Sequence, residues 1–154
     1  MSTWRRELIE LALDIVERIC RNCDDDCKKR FRTRARNLVA DIYTSGVAYV
    51  ISVVAARSSA AAVEIGLSAN SVDEIIKVCS DSRYARNLGL EKAEEYSYAL
   101  YGASLLYALK STGILSANSL DEAISSLLEN VIADRVALHV AMWLKRFAEA
   151  YIHE

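Results

Sequence analysis

The stretch "KKRFRTRAR" at residues 28–36 sets six cations, Lys28, Lys29, Arg30, Arg32, Arg34 and Arg36, into nine positions with no acid among them. Ammonium and guanidinium groups at this density suit one kind of chemistry above others. They meet the closely spaced phosphates of a nucleic acid and displace its counterions. The chain as a whole does not share this character: 19 Lys and Arg face 21 Asp and Glu, for a formal charge of −2. Positive charge is therefore a local patch on an acidic body. The same residues also admit an intramolecular reading, as a solvated face or as partners for the protein's own carboxylates.

Other chemistry-bearing groups read as structural. Cys20, Cys23 and Cys27 in "CRNCDDDC" have a spacing that superficially suits zinc or an iron–sulfur cluster. A structural zinc needs four ligands, and neither a second CxxC nor a nearby CxxH follows; Cys79 stands alone, and His139 and His153 lie far along the chain. Val16, Cys20, Cys23 and Cys27 also extend a helical stripe, so buried thiols are expected, with no metal and no cofactor. A disulfide would imply an unusual host. Asp24, Asp25 and Asp26 diverge on a turn instead of converging on magnesium. His139, among Leu138, Val140 and Ala141, reads as a core or boundary residue. No Ser or Cys nucleophile comes with an identifiable base and no glycine-rich phosphate loop is present, so no enzymatic activity is expected. Tyr96, Tyr98, Tyr101 and Tyr107 could stack on bases, but their helical spacing fits packing better.

The elements that position these residues follow from composition. With 154 residues, 53% apolar content, no Pro and five Gly, the chain suits a single domain, residues 1–154, with a real core and almost nothing to forbid helix. An all-α, compact bundle of about six helices is expected. Trp4, Leu8, Leu11, Ile15 and Ile19 make the stripe of a first helix. A second starts near Asp26, with Phe31, Ala35, Leu38, Val39 and Ile42 inward, Lys29, Arg32 and Arg36 on one ridge and Arg30 and Arg34 on the other flank. "TSG" at 44–46 turns into an apolar helix that reads as buried and central. Ser71 with Glu74 and Ser119 with Glu122 are capping-box pairs, and Gly89 is a left-handed cap. The last segment has a break at Asn130, and its helix packs on the first. The apolar run at 46–56 stops at Arg57, short of the ~20 residues a membrane helix needs, and the amino terminus lacks a signal-peptide core. The expected setting is soluble and cytoplasmic, with no membrane partner. No periodicity marks a face for contact with a neighbouring copy.

The order "RARNLVADIYTSGVAYVISVVAARS" at 34–58 and the closing "WLKRFAEAYI" at 143–152 resemble the small α-helical subunit of the Cmr complex, the type III-B CRISPR effector that silences RNA. Val39, Ala40 and Val47 depart from that family's usual residues. The resemblance implies a non-catalytic subunit of antiviral defence, present in several self-associating copies beside other effector-complex subunits and stacked along guide RNA and target RNA. Within the matching blocks it carries over Arg34, Arg57, Lys145 and Arg146 as basic positions. Lys28, Lys29, Arg30, Arg32 and Arg36 rest on charge alone. Two rivals remain: an adaptor whose basic helix docks on an acidic protein, and the small subunit of a DNA-targeting CRISPR complex.

Overall fold

The computed structural model describes residues 3–153, and every regular element in them is helical. Among the described residues there are nine helices: α1 (Thr3–Asn22), α2 (Asp25–Ser45), α3 (Val47–Arg57), α4 (Ala60–Ser68), α5 (Val72–Ser80), α6 (Ser82–Asn87), α7 (Ala93–Ser111), α8 (Leu120–Leu127) and α9 (Val131–Tyr151). The all-α class is therefore as expected, but the number exceeds six. Two of the additional helices are short. α4, "AAAVEIGLS", is apolar on most sides and shows almost no periodic stripe, yet Ser59 caps it by accepting from the Ala62 N–H at 3.1 Å. α6 begins where Asp81 accepts from the Tyr84 N–H at 3.1 Å. The third comes from the break at Asn130, which is complete: Glu129 has φ 55° and Asn130 caps α9.

The central helix is α7, not α3. Twelve residues of α7, from Ser97 to Leu109, are buried on all sides, including Tyr98 and Tyr101. α3 is only half covered, because Tyr49, Ser52, Ala56 and Arg57 face outward while Val47, Val50, Ile51 and Val54 pack inward. α2, α3, α4, α5 and α9 surround α7, and α1 packs on α9 as the sequence suggests. Glycines permit the tightest contacts. A Cβ on Gly66 of α4 would be driven onto the Ala103 carbonyl oxygen of α7, and one on Gly102 would come within 2.6 Å of Val54 Cγ2. Side chains of the required size fill the remainder: Phe31, Tyr101, Leu8, Ile15, Ile19, Ile51 and Leu100 are essentially inaccessible to solvent.

Cys79 is not alone. It forms a disulfide with Cys23, with a Cα–Cα separation of 5.7 Å and a sequence separation of 56. A crosslink closing a loop of that length lowers unfolded-chain entropy by an amount worth about 4 kcal/mol. The pairing joins the α1–α2 corner to α5, beside the Arg18–Asp73 ion pair that spans the same helices. Cys20 and Cys27 are free thiols.

Candidate nucleic-acid interface

The start of α2 is built by the acids that precede its cations. Asp24 accepts from the Cys27 N–H at 2.8 Å, and Asp25 and Asp26 sit in the first turn, where carboxylates complement the helix dipole. Those two acids also hold the first cations: Lys28 Nζ lies 3.2 Å from Asp25 and Arg30 Nε lies 3.1 Å from Asp26. "DDD" is thus a cap and a counter-charge at once.

Packing of α2 against α7 on one flank and α9 on the other distributes the rest. Lys29, Thr33, Arg36, Asn37, Ala40 and Thr44 form the exposed outer strip. Lys29 has no ion pair among the described residues. Arg32 is half-buried beside that strip. Arg36 Nε lies 3.5 Å from Glu149 of α9, and Arg146 Nη1 approaches the same carboxylate at 3.3 Å. The two matching blocks of sequence therefore meet in space at Glu149. Arg36 is 48% and Arg146 71% exposed, so both guanidinium groups remain accessible. Lys145, next to Arg146, is half-buried.

Arg34 behaves differently. Its side chain is 14% exposed, its guanidinium lies 4.0 Å from the centre of the Tyr98 ring, and Glu94 stands 3.8 Å away. Arg57, exposed at the end of α3, borders the same ring at 5.9 Å. Arg34 thus fastens α2 to α7, on the flank away from Lys29 and Arg36 that its helical phase predicts, and has little surface left for the nucleic-acid contact expected of it. The nine sequence-designated residues consequently fall into two groups. Lys28, Lys29, Arg32, Arg36, Lys145 and Arg146 lie along the α2–α9 side, while Arg34 and Arg57 gather around Tyr98 with Arg30 one helical turn from Arg34 on the same flank.

The remaining polar groups act structurally. His139 is edge-on to Trp4 with ring centroids 5.6 Å apart, and burial, then Arg5, pushes its imidazole below the usual value. The Tyr101 hydroxyl is buried beside Phe31 and has no hydrogen-bond partner among the described residues; burial pushes its pKa well above that of a free phenol, making it a far weaker acid.

A second surface has no signature in the sequence. Where the α2–α3 turn meets the α8–α9 junction, a groove of about 790 Å³ is lined by Tyr43, Tyr49, Leu127, Leu128, Val131 and Leu138. Tyr43 is 77%, Leu128 60% and Val131 67% exposed. Its floor is fixed by Asp134, which accepts from the Val47 N–H at 2.8 Å and so caps α3 from α9. Gly46, at φ 89°, lets the backbone pass that carboxylate. Its apolar residues come from helix ends far apart in sequence, so no periodic signal exposes the groove. No helix among the described residues is long and apolar enough to cross a membrane.

Comparison with known proteins accounts for nearly the whole chain. A family model described as CRISPR-associated protein (Cas_Cmr5) matches residues 5–151, including the middle helices that carry no recognisable block. A curated relative, "CRISPR system CMR subunit Cmr5" of Saccharolobus solfataricus, is 28% identical over 157 residues, covering 93% of this chain and 92% of the relative. No solved structure matches. The chain belongs to the Cmr5 family of CRISPR-associated proteins.

Proposed function

We propose that this chain is a non-catalytic small subunit of an RNA-guided CRISPR effector of the Cmr type, acting in the cytoplasm in antiviral defence. It follows guide and target RNA through the outer strip of α2 and the adjoining end of α9. The observation that carries this reading is the convergence of Arg36 and Arg146, from two helices, on Glu149 with both guanidinium groups accessible, beside exposed Lys29 on the same strip. Ion pairing within the strip does not oppose it. Lys28–Asp25, Arg30–Asp26 and Arg146–Glu149 are local pairs with at least one strongly exposed partner. Such pairs contribute roughly 0.5 kcal/mol or less, so a phosphate can replace the carboxylate at small cost.

The arrangement suits backbone tracking better than base reading. Cations and small polar groups position a strand without reporting its sequence, and pairing with a guide already supplies that information. Each copy would bind weakly, and copies stacked along one RNA would gain avidity. A non-catalytic role agrees with the use of His139 as a packed ring against Trp4. The apolar groove supports the accompanying contact between neighbouring subunits, since surface of this kind commonly marks protein association.

The test uses the assembled complex carrying Lys29→Gln, Arg32→Gln and Arg36→Gln together. RNA affinity should fall and the slope of log K against log salt should shrink by about 0.7–0.9 for each cation engaged, with the helical content of the isolated chain unchanged. An unaltered affinity and slope would remove the RNA reading. Ultraviolet adducts confined to RNA on residues 28–36 support it, protein-only crosslinks there favour the adaptor, and preference for a displaced DNA strand favours the DNA-targeting relative.

A further inference from the structure

Cys79 sits on α5, 56 residues from Cys23, yet the fold brings it to the α1–α2 corner. There the Sγ atoms of Cys23, Cys27 and Cys79 all lie within 4.8 Å of one another. Cys23 immediately follows α1, Cys27 lies in the first turn of α2, and Cys79 is near the end of α5. Cys23 and Cys27 are buried, at 8% and 1% exposure, and Cys79 is half-buried. Thiolates ~2.3 Å from a shared cation stand about 4 Å apart, a spacing within reach of the three sulfurs once the Cys23–Cys79 bond opens.

Three clustered sulfurs, two of them linked, have two chemical options: thiol–disulfide exchange or metal ligation. Exchange needs a thiolate as attacking group. Cys27, the sulfur that would have to attack, is 1% exposed, and a thiol buried in this way is inert toward exchange. A metal ion removes that obstacle because coordination deprotonates a thiol outright. Sulfur-only ligands select soft ions, above all zinc(II) and copper(I).

We propose that the reduced Cys23–Cys27–Cys79 cluster binds a thiophilic d10 cation, zinc(II) or copper(I), and that the Cys23–Cys79 disulfide is the closed, metal-free state of the same site. Opening takes two electrons and two protons from a dithiol reductant, which becomes a disulfide as Cys23 and Cys79 become thiols. Zinc(II) then forms three metal–sulfur bonds, displaces three protons and keeps a water in its fourth position, whereas three sulfurs alone complete copper(I). Closing runs through a disulfide oxidant such as oxidised glutathione. It takes two electrons from Cys23 and Cys79, three protons return to Cys27 and to the two thiols released from the oxidant, and the ion leaves. Either state ties α5 to the corner from which α2 starts. The cluster is independent of the RNA reading, since none of its sulfurs lies on the outer strip.

The experiment uses the full chain reduced with a phosphine under anaerobic conditions and freed of metal. Cobalt(II) serves as the optical probe for a zinc site, zinc(II) is titrated against a chromogenic chelator, and copper(I) is titrated against a copper(I)-selective chelator. One equivalent of zinc or copper should bind. Cobalt should give sulfur-to-metal charge-transfer absorption if zinc is the ion. Cys27→Ser and Cys79→Ser should lose that equivalent, Cys20→Ser should keep it, and oxidation of the wild-type chain should abolish it. Oxidised Cys27→Ser should retain the disulfide and the wild-type melting temperature, which separates loss of the site from loss of the fold. Should the reduced chain lose its helical circular dichroism, recovery on adding zinc or copper supports the proposal and failure to recover overturns it. A folded, reduced chain that leaves every ion with the chelator, or a Cys27→Ser variant that binds like wild type, also overturns it.

Discussion

Arg34 and Arg36 stand two positions apart on one helix and are put to opposite uses. Two residues turn a helix by roughly 200°, so Arg34 points to α7 and Arg36 to α9 and solvent. Arg34 is 14% exposed and stacked on Tyr98; Arg36 is 48% exposed and shares Glu149 with Arg146. The stacked cation has exchanged water for a ring face, whereas the other lies in an exposed ion pair of the kind that contributes little to stability. Cation density in a sequence is therefore a poor measure of binding charge. The phase of each residue on its helix decides.

The largest test acts on α7, the helix that carries the Tyr98 ring under Arg34. Gly66→Ala drives a methyl group onto the Ala103 carbonyl of α7, and backbone cannot yield as a side chain would. A loss of about 3 kcal/mol is expected from chemical denaturation. It should weaken the Arg34–Tyr98 flank through the displaced α7 while leaving the outer strip's salt response per folded molecule unchanged. Next, Arg34→Gln should cost about 1–2 kcal/mol of stability with no change in salt slope, and Arg36→Gln should change the slope with less than about 0.5 kcal/mol of stability. Equal stability losses from the two substitutions would erase the contrast between the flanks.

A smaller effect comes from the core side of α2. Tyr101→Phe keeps the ring beside Phe31 and removes a buried hydroxyl that has no partner among the described residues. Thermal unfolding should show no loss and a gain of up to about 1 kcal/mol. The least effect is expected from pH. Burial depresses the His139 imidazole below its ordinary value near 6.5, so the unfolded chain binds the proton first. Stability associated with neutral His139 is present above that value and declines as pH falls toward the lower, folded one. His139→Gln should flatten that acid-side decline in a melting-temperature profile.

Much of this molecule was legible before folding. The all-α class followed from the absence of Pro and the wealth of helix formers, and inward stripes such as Phe31, Ala35, Leu38 and Ile42 followed from 3.6-residue periodicity. α4 was missed because its small, apolar residues leave no polar face to give it a phase. α3 was read as central because its run is apolar, although Tyr49 and Ser52 face outward. The family was legible from the α2–α3 and α9 blocks, while the middle of the chain gave no such block.

Local chemistry is encoded in neighbouring residues, and so the sequence by itself determined most of the helices, the cap at Ser119, and the concentration of charge at 28–36. Only the tertiary structure decided which cations were spent on Tyr98 and which remained outside, that Cys79 would reach Cys23 and Cys27, and that Tyr43, Leu128 and Val131 would rim one groove. Those outcomes depend on how separate helices rotate and cross as they pack around α7. No short stretch of chain contains that information, because it belongs to contacts between residues tens of positions apart.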